Sequence, residues 1–320
     1  MNQMKPQFSI VGPVYNEEVL IPQFYERVRD VMNALGEPWE VVLVDDGSTD
    51  RTPEILDELH AQDPAHVVVL HFARNFGHQL AITAGMDHAR GAAVIAIDTD
   101  LQDPPEVIPE LIAKWREGYA VVYAVRVERE GETWFKLTTA RLFYQLIQQL
   151  TSVTIPMEAG DFRLLDRQVI EVLCQMREQH RFVRAMVSWV GFRQVGVPYH
   201  RYARAAGETK YSFPKMFRLA LDAITGFSSL PLKLATWAGT VATASGLLLA
   251  LALLILRLQG KAPLAGQGLT ASLVLFVGGI QLWMGGILGE YVGRIYDEVR
   301  HRPLYTVGEI LRIEESKTGR

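Results

Sequence analysis

The sequence is poor in cysteine, has no excess of positive charge, and lacks the glycine-rich fingerprints of several nucleotide-binding folds. A single cysteine, Cys174, stands among 320 residues, which excludes a disulfide framework and any cysteine-based metal site. With 32 Lys and Arg against 36 Asp and Glu, the net charge is −4, so the basic footprint of a nucleic-acid partner is missing. No G-x-G-x-x-G or P-loop comes after the first predicted strand, and neither a dinucleotide-binding nor an ATP-hydrolysing reading begins. The eight histidines show no H-E-x-x-H or paired spacing, so a histidine metal site is unsupported. Internal repeats and low-complexity segments are absent.

Charge is also scarce locally. Leu234–Leu256 is an uncharged run of 23 residues between Lys233 and Arg257, and Ala262–Gly289 is a second of 28 residues before Glu290. At ~1.5 Å per residue the first reaches about 35 Å, beyond a hydrocarbon core of ~30 Å. The two predict a transmembrane hairpin over 231–289, with spans at about 234–256 and 269–288. Trp237, Trp283 and Tyr291 fall near the expected interfaces. A hairpin places its two flanking segments on the same side of the membrane. Phe8–Val14 is too short for a signal sequence and runs straight into a polar turn, so residues 1–230 and the 290–320 tail are expected in the cytoplasm. Phe213–Phe227 opposes Met216, Phe217, Ile224 and Phe227 to Lys215, Arg218 and Asp222, the composition of an interfacial helix over 213–230.

Residues 1–212 alternate. Short β-branched runs at Phe8–Val14, Glu40–Val44, Val67–Phe72, Val94–Ile97 and Ala120–Val125 are separated by helix-like stretches at Pro22–Leu35, Pro53–Gln62, Gln79–Arg90 and Pro105–Glu117. That rhythm predicts an α/β domain with a mostly parallel sheet and ligands at the carboxyl ends of its strands. The strand ends are acidic: Asn16-Glu17-Glu18 after the first, Asp45-Asp46-Gly47-Ser48-Thr49-Asp50 after the second, Asp98-Thr99-Asp100-Leu101-Gln102-Asp103 after the fourth. Asp, Ser and Thr in such places also cap helices and make turns, a reading that weighs most at Asp46–Thr52. Asp98 and Asp100, one residue apart after an apolar strand, repel unless a cation sits between them. Hard oxygen ligands of this kind suit Mg²⁺ or Mn²⁺.

Pro13-Val14-Tyr15-Asn16-Glu17, Val44–Asp50, Arg74-Asn75-Phe76-Gly77 and Asp98–Pro105, followed by Gly160-Asp161-Phe162-Arg163-Leu164, Gly207–Ser212 and the two-helix hairpin, resemble the inverting glycosyltransferases of family 2. Within that family the pattern is similar to the polyprenyl-phosphate glycosyltransferases, and it covers about Phe8 to Tyr305. The resemblance implies a GT-A, Rossmann-like catalytic domain. It also implies transfer of one sugar from a nucleotide sugar, by preference a UDP-sugar, to a polyprenyl phosphate such as undecaprenyl phosphate, at the inner membrane.

Residue by residue, the resemblance implies that Pro13, Tyr15 and Glu17 floor the nucleotide, that Asp45 or Asp46 meets base and ribose, and that Arg74 edges the pocket. Asp98, Asp100 and Gln102 hold the metal on the diphosphate, with Asp100 catalytic. Asp161 is a base or a sugar-hydroxyl ligand, alternatively a turn or cap aspartate paired with Arg163, and Lys210 closes over the diphosphate. On the acceptor side Arg126, Lys136 and Thr139 match phosphate-binding positions. Two other readings stand beside this one. A processive polysaccharide synthase would carry a Gln-x-x-Arg-Trp motif that is absent here, and a non-catalytic adaptor or flippase subunit has no need of Asp98, Asp100 and Gln102 together. Gly278, Gly279, Gly285 and Gly286 in the second span would allow close helix contacts and with them a homo-oligomer.

Overall fold

The computed structural model describes residues 5–126, 159–200, 230–259 and 266–313. The chain divides into two units, one of residues 1–148, 153–218 and 303–320 and one of residues 149–152 and 219–302.

The first unit is built on an eight-stranded sheet: β1 (Phe8–Val14), β2 (Trp39–Asp45), β3 (Val67–Phe72), β4 (Ala93–Ala96), β5 (Val121–Arg126), β6 (Ala159–Asp166), β7 (Gln194–Tyr199) and β8 (Val307–Leu311). Its order is β7-β5-β6-β4-β1-β2-β3-β8. Strands β3, β2, β1 and β4 run parallel, as do β5 and β7, while β6 and β8 are antiparallel to their neighbours. The mostly parallel sheet expected from the alternating pattern is present, and the first five strands fall within one or two residues of the predicted runs.

Every residue of β1 and of β2 is buried, because helices cover both faces of a parallel sheet; this is why those strands read as unbroken apolar runs. The helices are α1 (Ile21–Leu35), α2 (Thr52–Gln62), α3 (His78–His88), α4 (Ile108–Arg116, after a 3₁₀ turn at Pro105–Val107), α5 (Arg167–Gln175) and α6 (Val183–Trp189). In α1, Ile21, Phe24, Tyr25, Val28 and Met32 are buried, the i, i+3/i+4 spacing of one core-facing stripe. Pro13 sits in the central strand β1 without disturbing it. Its carbonyl accepts the Thr99 hydroxyl at 3.0 Å, on the β4 side, where the ladder has already ended at Val11↔Ala96. The missing N–H therefore leaves no strand partner unsatisfied.

With β2 on one side of β1 and β4 on the other, the connections diverge at β1. A doubly wound sheet opens a crevice at such a switch point, beyond the carboxyl ends of its strands. The acidic loops after β1, β2 and β4 all emerge there.

The 290–320 segment is more than the tail expected from the sequence. Val307–Leu311 pairs antiparallel with β3, opposing Leu311 to Val69 and Ile310 to Leu70. Tyr305 stacks on Phe72 at 5.2 Å and donates to Asp87 Oδ2 at 2.7 Å. β8 thereby covers an edge that would otherwise present open backbone groups.

The second unit holds two long helices, α7 (Leu230–Leu258) and α8 (Gly266–Val299). α7 contains the first uncharged run and α8 the second from Gly266 on, but α8 continues past that run through Glu290 and Arg294, which pair at 3.0 Å. Among the described residues no helix is long and apolar enough to cross a membrane. Within the chain the described residues do not bring the glycines of the second helix close to a neighbour. A Cβ on Gly278, Gly279, Gly285 or Gly286 would meet nothing within 4 Å, whereas one on Gly239 would approach Met284 Cε at 3.5 Å. The close approach uses a glycine of the first helix and a flexible thioether of the second.

Candidate functional site

The loops after β1, β2 and β3 are laced together by side chains, of which Asp46 is one that the sequence offers as a nucleotide ligand. Asn16, at φ 53°, receives the Thr49 N–H on Oδ1 at 2.8 Å and donates its own N–H to Ser48 Oγ at 3.0 Å; the Glu17 N–H reaches Thr52 Oγ1 at 2.9 Å. Asp46 is buried, and its carboxylate accepts the N–H groups of Phe76 at 2.7 Å and Gly77 at 3.0 Å. The turn-and-cap reading of Asp46–Thr52 is thus only partly right: Asp50 makes a local turn, taking the Thr52 N–H at 3.0 Å, while Asp46 reaches across to hold the Arg74–Gly77 loop. Gly47 makes this possible. At φ +68° a Cβ would lie 2.6 Å from the Asn75 backbone nitrogen, so the two loops meet only where a side chain is missing. Arg74 is exposed and lies over the Phe76 ring at 4.0 Å. Tyr15 is 37% exposed at the rim, while Pro13 is buried below it.

Asp45 has a different partner. Its Oδ1 accepts the Ser48 N–H at 2.9 Å and its Oδ2 lies 3.0 Å from His71 Nδ1, whose Nε2 in turn lies 2.9 Å from Asp57. Burial opposes the charge on Asp45, but the hydrogen bonds from His71 and Ser48 outweigh it and hold the carboxyl below its ordinary value. The hydrogen bond to Asp45 raises His71, against burial and with help from Asp57. A lowered Asp contributes stability above its unfolded pKa of ~4, and a raised His contributes below its unfolded pKa of ~6.5, so both contributions are complete between about pH 4 and 6.5. The difference in melting temperature between the wild type and His71→Ala is expected to be widest in that window. It narrows as the pH rises above about 6.5 and His71 loses its proton through its raised pKa. A gap that ignores pH would assign His71 to packing alone.

The acidic rim after β4 meets a cluster that no motif in the sequence marks. His78, the first residue of α3, places Nε2 3.5 Å from Asp98 Oδ1 and 3.3 Å from Asp161 Oδ2. Asp161 is neither in a turn nor at a cap. It sits in β6, and Arg184 of α6 grips it with both prongs, Nε to Oδ1 at 2.8 Å and the terminal nitrogen to Oδ2 at 2.9 Å. The expected partner Arg163 instead donates to the Gly160 carbonyl at 2.7 Å. Burial opposes ionisation of Asp161, yet the charge of Arg184 and the hydrogen bonds from His78 and Arg184 keep it well below the carboxylate range. Asp98 moves the other way, to about 6: burial raises it, His78 opposes, and Asp161, Asp103 and Asp100 add repulsion. Its Oδ1 is buried without a hydrogen-bond partner.

That orphaned oxygen, with Asp100 and the Gln102 amide in the same loop, fits a hard divalent cation. Among the described residues no three His, Cys, Asp or Glu side chains are grouped to hold a metal by themselves. An ion here would take its remaining oxygens from a bound diphosphate and water, as Mg²⁺ habitually does. The loop is held tautly: Leu101, a buried non-glycine, adopts φ 58°, a region costly for a branched side chain, and the Gln102 N–H caps Asp100 Oδ1 at 3.2 Å.

Arg126 ends β5, and its Nε donates to the Tyr199 hydroxyl at 3.3 Å. Lys136, Thr139 and Lys210, together with all but the last residue of the interfacial helix expected over 213–230, lie outside the described residues. His78, Arg184, Tyr199 and His71 carry no recognisable spacing; His78 offers only its place directly after Arg-Asn-Phe-Gly.

A doubly wound sheet that crowds carboxylates rather than glycines at its switch point, one of them with a buried oxygen that takes no hydrogen bond, fits the GT-A, Rossmann-like class of transferases. Residues 9–174 match the family described as glycosyl transferase family 2, and the chain belongs to that family. An uncharacterized glycosyltransferase of Bacillus subtilis (strain 168), YkcC, is 50% identical over 98% of this chain and 97% of its own. The bactoprenol glucosyl transferase of Shigella phage SfV is 42% identical over 94% of this chain and 98% of its own. A prophage bactoprenol glucosyl transferase homolog of Escherichia coli (strain K12) is 42% identical over 95% and 99%.

Proposed function

We propose that the protein transfers a single sugar, with inversion, from a UDP-sugar to undecaprenyl phosphate or a related polyprenyl phosphate at the cytoplasmic face of the inner membrane. The observation that carries this reading is the reach of the likeness to the phage bactoprenol enzyme. It spans 94% of this chain and 98% of that one, so it takes in the helical pair as well as the catalytic sheet. In this reading the uncharged runs inside α7 and α8 lie in the bilayer, and the sheet, with β8, stays on the cytoplasmic side.

The acceptor needs positioning more than activation, because a phosphate monoester with a second pKa near ~6 is already largely dianionic at neutral pH. Its oxygen attacks the anomeric carbon in line, and the nucleoside diphosphate leaves from the opposite face. Asp98, Asp100 and Gln102 would hold Mg²⁺ or Mn²⁺, which supplies neutralisation of the charge gathering on the leaving diphosphate. Asp161 is a poor base, since a carboxyl held low by Arg184 and His78 has little affinity for a proton. We assign it to the sugar hydroxyls, for which its oxygens retain acceptor lone pairs. Tyr15 and Glu17 line the nucleotide side, with Arg74 at its edge, while Asp45 and Asp46 shape that side by fixing the loops. Lys210 is assigned to closing over the diphosphate, and Arg126, Lys136 and Thr139 to binding the acceptor phosphate.

The test is transfer of label from a panel of radiolabelled nucleotide sugars into the organic phase, with the donor supplied outside sealed vesicles that contain undecaprenyl phosphate. Inside-out vesicles are expected to incorporate label from one UDP-sugar and right-side-out vesicles to incorporate none. Label that stays in the aqueous phase with every donor would refute the acceptor, and equal incorporation by both orientations would refute the topology.

A further inference from the structure

Arg126 is a long side chain at the very end of a strand, where nothing in β5 itself fixes its direction. An unrestrained arginine loses considerable rotamer entropy on gripping a ligand. Two features of the fold take that freedom away in advance. β5 and β7 run parallel with Arg126 directly opposite Tyr199, so the Tyr199 hydroxyl stands beside the guanidinium and receives its Nε–H at 3.3 Å. Gly160, across in β6, leaves room for the other end: a Cβ there would lie 3.0 Å from an Arg126 terminal nitrogen. The tyrosine is itself held. It is 4% exposed, and its hydroxyl donates to Oδ1 of Asp103, which is fully buried. The hydroxyl has one proton, which it gives to Asp103, so it meets the Arg126 Nε–H with an oxygen lone pair.

Resting on the acceptor reading above, we propose that Asp103 and Tyr199 are positioning residues that set Arg126 for the lipid phosphate. Using Nε for the tether leaves the planar fork of terminal nitrogens, which among the described residues carries no hydrogen bond, for two phosphate oxygens. Asp103 closes the loop that begins at Asp98. One segment therefore carries the donor-side residues Asp98, Asp100 and Gln102 and also the brace of the acceptor-side arginine. A shift of that loop on donor binding would reach Arg126 through Tyr199.

The experiment measures acceptor kinetics with undecaprenyl phosphate, UDP affinity by calorimetry, and melting temperature, all on the full-length protein in detergent. Tyr199→Phe is expected to raise the acceptor KM roughly three- to tenfold, the loss of one hydrogen bond to a charged group, with kcat and UDP affinity nearly unchanged. Arg126→Ala raises it further, and Tyr199→Phe adds nothing on that background, since a residue acting through Arg126 has nothing left to act on. Arg126→Lys keeps the charge but has no Nε, so it is expected to match Tyr199→Phe even if the latter folds poorly. An unchanged acceptor KM in Tyr199→Phe beside a raised one in Arg126→Ala would overturn the brace and leave the acceptor reading standing, as would full acceptor use by Arg126→Lys. Loss of UDP affinity in Arg126→Ala with acceptor KM intact would overturn the acceptor reading itself.

Discussion

Asp100→Ala is expected to reduce transfer by about a thousandfold or more, because a bound divalent ion contributes several kcal/mol to a charged leaving group and each ~1.4 kcal/mol is tenfold in rate. The protein should remain folded. Asp100 is a partly exposed rim residue, so truncating it to Ala opens no cavity in the core. Melting curves of wild type and variant should therefore nearly superimpose while initial rates diverge. Wild-type activity is expected to fall with chelator and return with Mg²⁺ or Mn²⁺, whereas the variant gains little from either ion. Full activity in the presence of a chelator would remove the metal from the mechanism and leave Asp100 as an ordinary loop carboxylate.

Arg184→Ala is expected to produce the largest loss of stability. The substitution strips the two-pronged partner from Asp161, which is 6% exposed. Breaking a buried ion pair from one side generally costs ~3–5 kcal/mol. Arg184 is itself 28% exposed, so solvent repairs part of the loss and about 2–3 kcal/mol is the better expectation. For a domain of this size that lowers the melting temperature by roughly 5–10 °C. Arg184→Lys should fall between, having the charge without the fork. The double variant Arg184→Ala/Asp161→Ala should recover part of the loss, since no uncompensated carboxylate remains. Additive losses in that double variant would show that the two side chains contribute independently.

The legible and the hidden parts of the fold divide along one physical line. β1 to β5 and α1, α2 and α4 were legible because their residues are ordered by solvent: strands buried on both faces read as apolar runs, and these helices carry a single buried stripe. β6 escaped. Ala-Gly-Asp-Phe-Arg-Leu-Leu-Asp places Asp161 and Arg163 in the interior, and burial of charge defeats a rule based on polarity. Asp161 is tolerated because partners arrive from elsewhere in the chain, Arg184 from α6 and His78 from α3, and no spacing announces a contact across 83 positions. β7 was obscured by Pro198, which an edge strand accommodates. The rim showed the same division. Asp98, Asp100 and Gln102 were visible as a motif, whereas Asp46 read as a turn residue or a nucleotide ligand and holds a second loop.

β8 also bears on how the protein is made. β3 is finished early in synthesis, but the strand that covers its edge leaves the ribosome only after the whole helical pair. At about 5–20 residues per second the nascent sheet waits roughly ten to fifty seconds with that edge open. During the wait, Val67–Phe72, six residues with no charge beyond His71, are a template for any passing strand. Completion of the catalytic sheet thus becomes a late event, timed by delivery of the two long helices, and a ribosome that stalls between them leaves behind a polypeptide prone to aggregate.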